Sequence, residues 1–127
     1  MYEWAKGSSY SMTATLYSGN ITLNSSAAEC FREVRWVMLG LDKVAKKLAI
    51  KPVSKKDVDN RSVDLDRLHK ISVGKSYAKI CNKGIMQEIS LLLSRGIDNL
   101  KFSAVYSETE EMLVIDLNTV LQKGKNS

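Results

Sequence analysis

Two stretches of equal length, VMLGLDKVAKKLAIKPV from Val37 and KFSAVYSETEEMLVIDL from Lys101, share one pattern: an apolar strand, a polar loop and a second apolar strand. In the first, Val37, Leu39 and Leu41 lead into a polar loop and Leu48, Ile50 and Val53 resume the apolar run; in the second, Phe102, Ala104 and Tyr106 do the same before Met112 to Leu117. Side chains alternate faces along a strand, so this pattern predicts antiparallel hairpins, and its recurrence makes the chain internally repetitive. Upstream of each hairpin a short strand enters a capped helix, ITLNSSAAECF from Ile21 and AKICNKGIMQEI from Ala78. Before the first of these, SMTATLYSGN from Ser11 reads as a strand running into a Gly19-Asn20 turn, and residues 67–77, with Leu68, Ile71 and Val73 around Gly74, are its counterpart. The expected order is strand, turn, strand, short helix, hairpin, and all of it again.

The helices are expected at 27–35 and 83–95. Ser26 followed by Glu29 has the spacing of a capping box, and Asn82 can cap the second helix. In that helix Ile85, Met86, Ile89, Leu92 and Leu93 share one face, and Gly96 is placed to end it. The chain is expected to divide into an N-terminal arm (1–10), a first pseudo-repeat (11–53), a charged linker (54–66), a second pseudo-repeat (67–117) and a tail (118–127). Either half alone exposes too much apolar surface, and 127 residues at 44% apolar suit a single domain. The fold class expected is α+β, dominated by antiparallel hairpins with short helices.

The unit YSGNITLNSSAAECF followed by VMLGLDKVAKKLAIKPV resembles the AbrB and MraZ class of swapped-hairpin transcription factors, with Gly19, Ile21, Thr22 and Leu23 matching the family's first strand and LAIKP from Leu48 its closing strand. The resemblance covers residues 13–53, and more loosely 77–117; two copies in one chain look more like MraZ, which has tandem units. It implies two pseudo-repeats forming a swapped-hairpin-like β-barrel core, and a DNA-binding function. Asn20, Asn24 and Ala28 stand where the family has its DNA-reading arginine, its proline and an arginine after the helix start.

Nineteen Lys and Arg against fourteen Asp and Glu give a formal charge of +5, which favours anionic partners. From Lys43 to Lys56 there are six basic residues and no acid, and from Arg67 to Lys83 five and no acid. Lysines along a hairpin can neutralise phosphates and release counterions, so Lys43, Lys46, Lys47, Lys51, Lys75 and Lys79 are the candidate nucleic-acid contacts. Arg32 and Arg35 are candidate specifying residues should the short helix approach a groove. The partner expected is double-stranded DNA. The alternative is a protein-interaction or assembly module: the first hairpin loop is basic (Lys43, Lys46, Lys47), the second acidic (Glu108, Glu110, Glu111), and such tips could dock head to tail in a homo-oligomer.

Other chemistries are not favoured. Gly74-Lys75-Ser76 ends like a phosphate-binding loop, but the first glycine that loop needs would stand at His69. Asp57 and Asp59 open a calcium-like spacing in which Arg61, Ser62 and Leu68 occupy positions that need an oxygen ligand, a glycine and a carboxylate. His69 is the sole histidine, and Cys30 and Cys81 form no C-x-x-C and read as buried thiols in a reducing compartment. No enzyme, cofactor or metal site is expected. With no apolar leader and no run of 18 apolar residues, the expectation is a cytoplasmic protein with no membrane partner.

Overall fold

A computed structural model of the protein describes residues 12–61 and 64–123; the N-terminal arm and the last four residues of the expected tail lie outside the described residues. The elements are β1 (Thr13–Leu16), β2 (Asn20–Leu23), α1 (Ser25–Ala28) continued by a 3-10 turn (Glu29–Phe31), β3 (Trp36–Asp42), β4 (Lys47–Val53), α2 (Lys55–Asp59), a 3-10 turn (Leu65–Arg67), β5 (His69–Val73), β6 (Ala78–Cys81), α3 (Lys83–Leu93), β7 (Leu100–Ser107) and β8 (Met112–Lys123). The strands close a barrel in the order β1-β2-β6-β5-β3-β4-β8-β7, and every neighbouring pair is antiparallel.

Each hairpin of one half is flanked by hairpins of the other: β2 meets β6, β3 meets β5, β4 meets β8 and β1 meets β7. Exchanging β1–β4 with β5–β8 leaves this set of neighbours unchanged. An eight-stranded barrel is just wide enough for side chains to fill, and alternation supplies them. Leu100, Leu16, Ile21, Ile80 and Ile71 follow one another across adjacent strands, and all are buried. On the other side Leu48, Ile50, Leu113 and Ile115 do the same. Because neighbouring strands run in opposite directions, the connections sort to two ends. One end holds the β1–β2 turn, the β3–β4 turn and α3; the other holds α1 with its 3-10 turn, the β5–β6 turn and the β7–β8 turn. Phe31 from the first helical segment and Met86 and Ile89 from α3 are buried in the core.

Local chemistry explains both helix starts. Asn82 caps α3, its Oδ1 accepting from Ile85 N at 3.2 Å. The first helix is capped by Asn24 rather than Ser26: Asn24 Oδ1 accepts from Ala27 N and from Thr13 N, each at 3.1 Å, tying the helix start to the first strand. The segment starts earlier than the expected 27–35 helix and also ends earlier, leaving helical geometry at Arg32 (ψ 132°) and turning through Glu33 at φ 64°. Likewise α3 stops at Leu93 because Ser94, not Gly96, adopts the left-handed conformation that ends it. The charged linker carries the short α2, capped by Ser54 through Asp57 N (3.0 Å) and burying no side chain. Beyond Leu117, β8 continues to Lys123, which pairs with Leu100.

The two long hairpins turn in the same way. Asp42 pairs with Lys47 and Ser107 with Met112, leaving a four-residue loop in each. In the first, Asp42 Oδ1 accepts from Ala45 N (3.0 Å), and in the second Ser107 Oγ accepts from Glu110 N (3.2 Å). The last loop residues, Lys46 and Glu111, lie at φ 57° and 54°.

Candidate nucleic-acid interface

The outside of the barrel divides into two unlike walls. Strands β1, β2, β6 and β5 are consecutive in the barrel, and neither they nor the turns joining them, residues 13–23 and 69–83, contain an Asp or Glu. Since Ala14, Leu16, Ile21, Leu23, Ile71, Ala78 and Ile80 point inward, their alternating neighbours point out. Lys101, Thr15, Thr22, Lys79 and Ser72 form one row across the ladder. Lys70 stands two residues along β5 from Ser72 on the same outer face, beside Trp36 of β3. Asn20 is paired with Cys81 on the same face, and Asn20 Oδ1 accepts from Thr22 Oγ1 at 3.2 Å. Lys75 lies in the β5–β6 turn and Lys83 starts α3; Lys70, Lys75, Lys79 and Lys83 are all exposed. The wall offers separated cations and hydroxyls with no carboxylate between them.

At one edge of this wall, backbone and ring fit closely. Gly74 N donates to Tyr77 O at 2.8 Å, and a Cβ at Gly74 would meet the Tyr77 ring at 2.7 Å. Glycine therefore lets the half-exposed ring lie across the turn beside Lys75. The Gly74-Lys75-Ser76 sequence is a hairpin turn, not the strand-to-helix loop that cradles a nucleotide. His69 Nδ1 lies 3.1 Å from Asn82 Nδ2, where it accepts the amide proton. Among the described residues no group of His, Cys, Asp and Glu is placed to hold a metal ion.

The opposite wall, β3-β4-β8-β7, has an apolar band, Gly40, Ala49, Val114 and Val105, running across the strands in register. Its cations have acidic neighbours. Lys47 stands between Asp42 and Asp116 in the ladder. Hydrogen bonds from the Asn118 backbone and side chain, and then the Lys47 charge, hold the Asp116 carboxyl below its usual range. Lys43 faces Glu88 of α3 at 3.8 Å; Lys51 Nζ donates instead to the backbone carbonyl of Glu110 at 2.9 Å.

The residues singled out from sequence therefore separate. Lys75 and Lys79 lie on the carboxylate-free wall. Lys43, Lys46 and Lys47 lie at the tip of the β3–β4 hairpin, at the end of the barrel that holds α3. Lys51, Arg32 and Arg35 lie toward the other end; Arg32, paired with Glu29, shares a small recess with Gly74 and Lys75 of the β5–β6 turn, and Arg35 borders a recess that also holds Glu33 and Asp59. Lys70, Lys83 and Lys101 belong to the wall and were missed. Lys70 and Lys83 sit in the second basic run, and the alternation of Lys70 and Lys79 with Ile71 and Ile80 is the signal that aims both outward.

The cysteines also differ from expectation: Cys81 is exposed and Cys30 only partly buried. Burial, with a smaller contribution from Glu29, pushes the Cys30 thiol up. The thiolate is the reactive form, so iodoacetamide at neutral pH is expected to modify Cys81 about tenfold faster than Cys30, read by peptide mass spectrometry. Equal rates would mean that Cys30 is more open than the fold allows.

No family model, curated protein or solved structure matches this chain. No helix among the described residues is long and apolar enough to cross a membrane.

Proposed function

We propose that the protein is a small, non-enzymatic transcription regulator that binds double-stranded DNA through the wall formed by β1, β2, β6 and β5. The observation that carries this reading is the absence of any carboxylate from that wall while Lys70, Lys75, Lys79 and Lys83 project from it, with Lys101 alongside. Ammonium groups spaced along a face whose strands and turns carry no carboxylate can each displace a condensed counterion from a duplex. Asn20, Thr15, Thr22 and Ser72 supply donors and acceptors able to meet phosphates or base edges. In this reading Lys75 and Lys79 stay in the site and are joined by Lys70, Lys83 and Lys101, while Lys43, Lys46, Lys47, Lys51, Arg32 and Arg35 play no primary part.

We also propose that the two halves are copies of one swapped-hairpin unit. Three features support it: the neighbour map survives exchange of the halves, Asn24 and Asn82 cap equivalent helices, and the long hairpins share a loop whose last residue is left-handed. Cytoplasmic location goes with this reading.

The test is fluorescence anisotropy of a labelled random-sequence duplex of about 25 base pairs at roughly 50 and 200 mM salt. The affinity is expected to fall by orders of magnitude between the two, and bound duplex should protect Cys81 from alkylation. Absence of binding at the lower salt would overturn the reading.

A further inference from the structure

The β3–β4 hairpin ends differently at its two extremities, and the two ends are complementary. At its tip Asp42 Oδ1 accepts from the Val44 and Ala45 backbone N–H groups at 3.1 and 3.0 Å, and Lys46 is left-handed. This fixed turn holds Val44 out in solvent at 96% exposure, with Lys43, Lys46 and Lys47 around it. The Asp42 carboxylate is turned back onto its own loop. The Lys43 to Glu88 pair, 3.8 Å apart with both side chains more than half exposed, is of a kind that adds little and exchanges readily.

At the other extremity, Trp36 and Pro52 from the open end of the same hairpin join Val34 and Val58 to line a recess of about 810 Å³. Glu33, Asp57, Asp59 and Glu111 border it, and Glu108 and Glu110 lie on the adjoining β7–β8 loop. Arg35, Lys51 and Lys55 are there too, Lys51 donating to the Glu110 backbone carbonyl, so four carboxylates face three cations in the lining and Glu108 and Glu110 on the adjoining loop add to the acidic side. One end of the molecule thus presents an apolar knob ringed by ammonium groups; the other presents an apolar recess with a mixed border that is acidic in balance.

We propose that this recess takes the Val44 tip of a second copy of the chain, so that molecules associate head to tail. The matching patches are different surfaces at opposite ends of one hairpin, so each bound copy leaves a free knob and a free recess; repetition then builds a ring or an open filament. Burying Val44 and Trp36 supplies the apolar contribution, and the lysines meeting carboxylates steer the encounter. A single hairpin tip buries less than a standard interface, so the association belongs in the micromolar to roughly 1 mM range. The contact touches the lysine wall only at its edge, where Trp36 stands beside Lys70, and does not rest on DNA binding.

Sedimentation equilibrium of the full chain from about 10 µM to 1 mM tests this. The average mass is expected to rise continuously with concentration. A knob variant, Val44→Glu, and a recess variant, Asp59→Lys with Glu111→Lys, should each stay monomeric, all three positions being exposed and the substitutions leaving the circular dichroism unchanged. Mixed together they should recover a complex that stops at one-to-one, because the knob variant keeps a working recess and the recess variant a working knob. A wild-type chain that stays monomeric, a Val44→Glu chain that associates like wild type, or a mixture that remains monomeric would each overturn the proposal.

Discussion

Phe31→Ala is expected to lower the unfolding free energy by about 3–5 kcal/mol, a large share of the 5–15 kcal/mol typical of a domain. Phe31 closes the short 3-10 turn after α1, is wholly buried, and belongs to the same cluster as the barrel's inward side chains. An eight-stranded barrel filled from its walls still has two open ends, and a short helical segment at each end closes them. Phe31 is the one large residue among the buried side chains of its segment, the others being Ala27 and Ala28. Removing it leaves a void that two alanines cannot fill. The next residue provides the control: Arg32 is exposed and paired with Glu29, so Arg32→Ala should change stability by less than about 0.5 kcal/mol. Urea denaturation followed by circular dichroism measures both, and Phe31→Ala should also lower Tm by roughly 10–20 °C. A loss under about 1 kcal/mol would mean that the barrel end does not depend on Phe31.

How far such features are readable in the sequence depends on whether they are local. The long hairpins are local: apolar alternation through Val37 and Leu48, or Phe102 and Leu113, together with polar loops, specifies them without reference to the rest of the chain. The Asn82 cap is local as well. The Asn24 cap is less so, because its Oδ1 serves both the helix and Thr13 eleven residues earlier, and the capping-box spacing of Ser26 and Glu29 competes with it. Barrel closure is not local. It rests on β2 meeting β6 and β4 meeting β8, pairings across a linker that gives no sign of them.

The interface suffered from the same distance. A run of basic residues along the sequence, Lys43 to Lys56, is divided by the hairpin between the two ends of the barrel, and its members meet Glu88, Asp116 and the β7–β8 loop. The carboxylate-free wall joins residues 13–23, which contain no lysine at all, to residues 69–83. The first segment could not stand out in a search for charge, since what it contributes is hydroxyls and the lack of acids. Cys81 follows a simpler rule: its apolar sequence neighbours read as a buried stretch, whereas alternation with the buried Ala78 and Ile80 places it on the outer face.

Reversing the wall lysines should abolish duplex binding in a way that reversing the hairpin tip does not. Lys70→Glu, Lys75→Glu and Lys79→Glu together remove three phosphate contacts and put three carboxylates on a face that had none. The affinity for a duplex at roughly 50 mM salt should drop at least about 100-fold, and the slope of log affinity against log salt should flatten by about 3. Lys43→Glu, Lys46→Glu and Lys47→Glu change the net charge of the chain by the same amount, so long-range attraction falls equally in both variants. Any difference between them then reports contact rather than total charge. The tip lysines lie at one end of the barrel with Asp42, Glu88 and Asp116 as neighbours, and their reversal should cost less than about tenfold, with the slope changed by less than 1. All six positions are exposed, so both variants should keep the circular dichroism of the parent, and both are compared at protein concentrations below those of head-to-tail association. Equal losses in the two variants would reduce the interaction to net charge, and a larger loss from the tip would move the interface to the β3–β4 hairpin. Only the predicted asymmetry assigns the duplex to the wall, because only there do lysines from β5, β6 and the turn between them share one face whose own strands and turns carry no carboxylate, Glu29 reaching it only at the Lys75 edge.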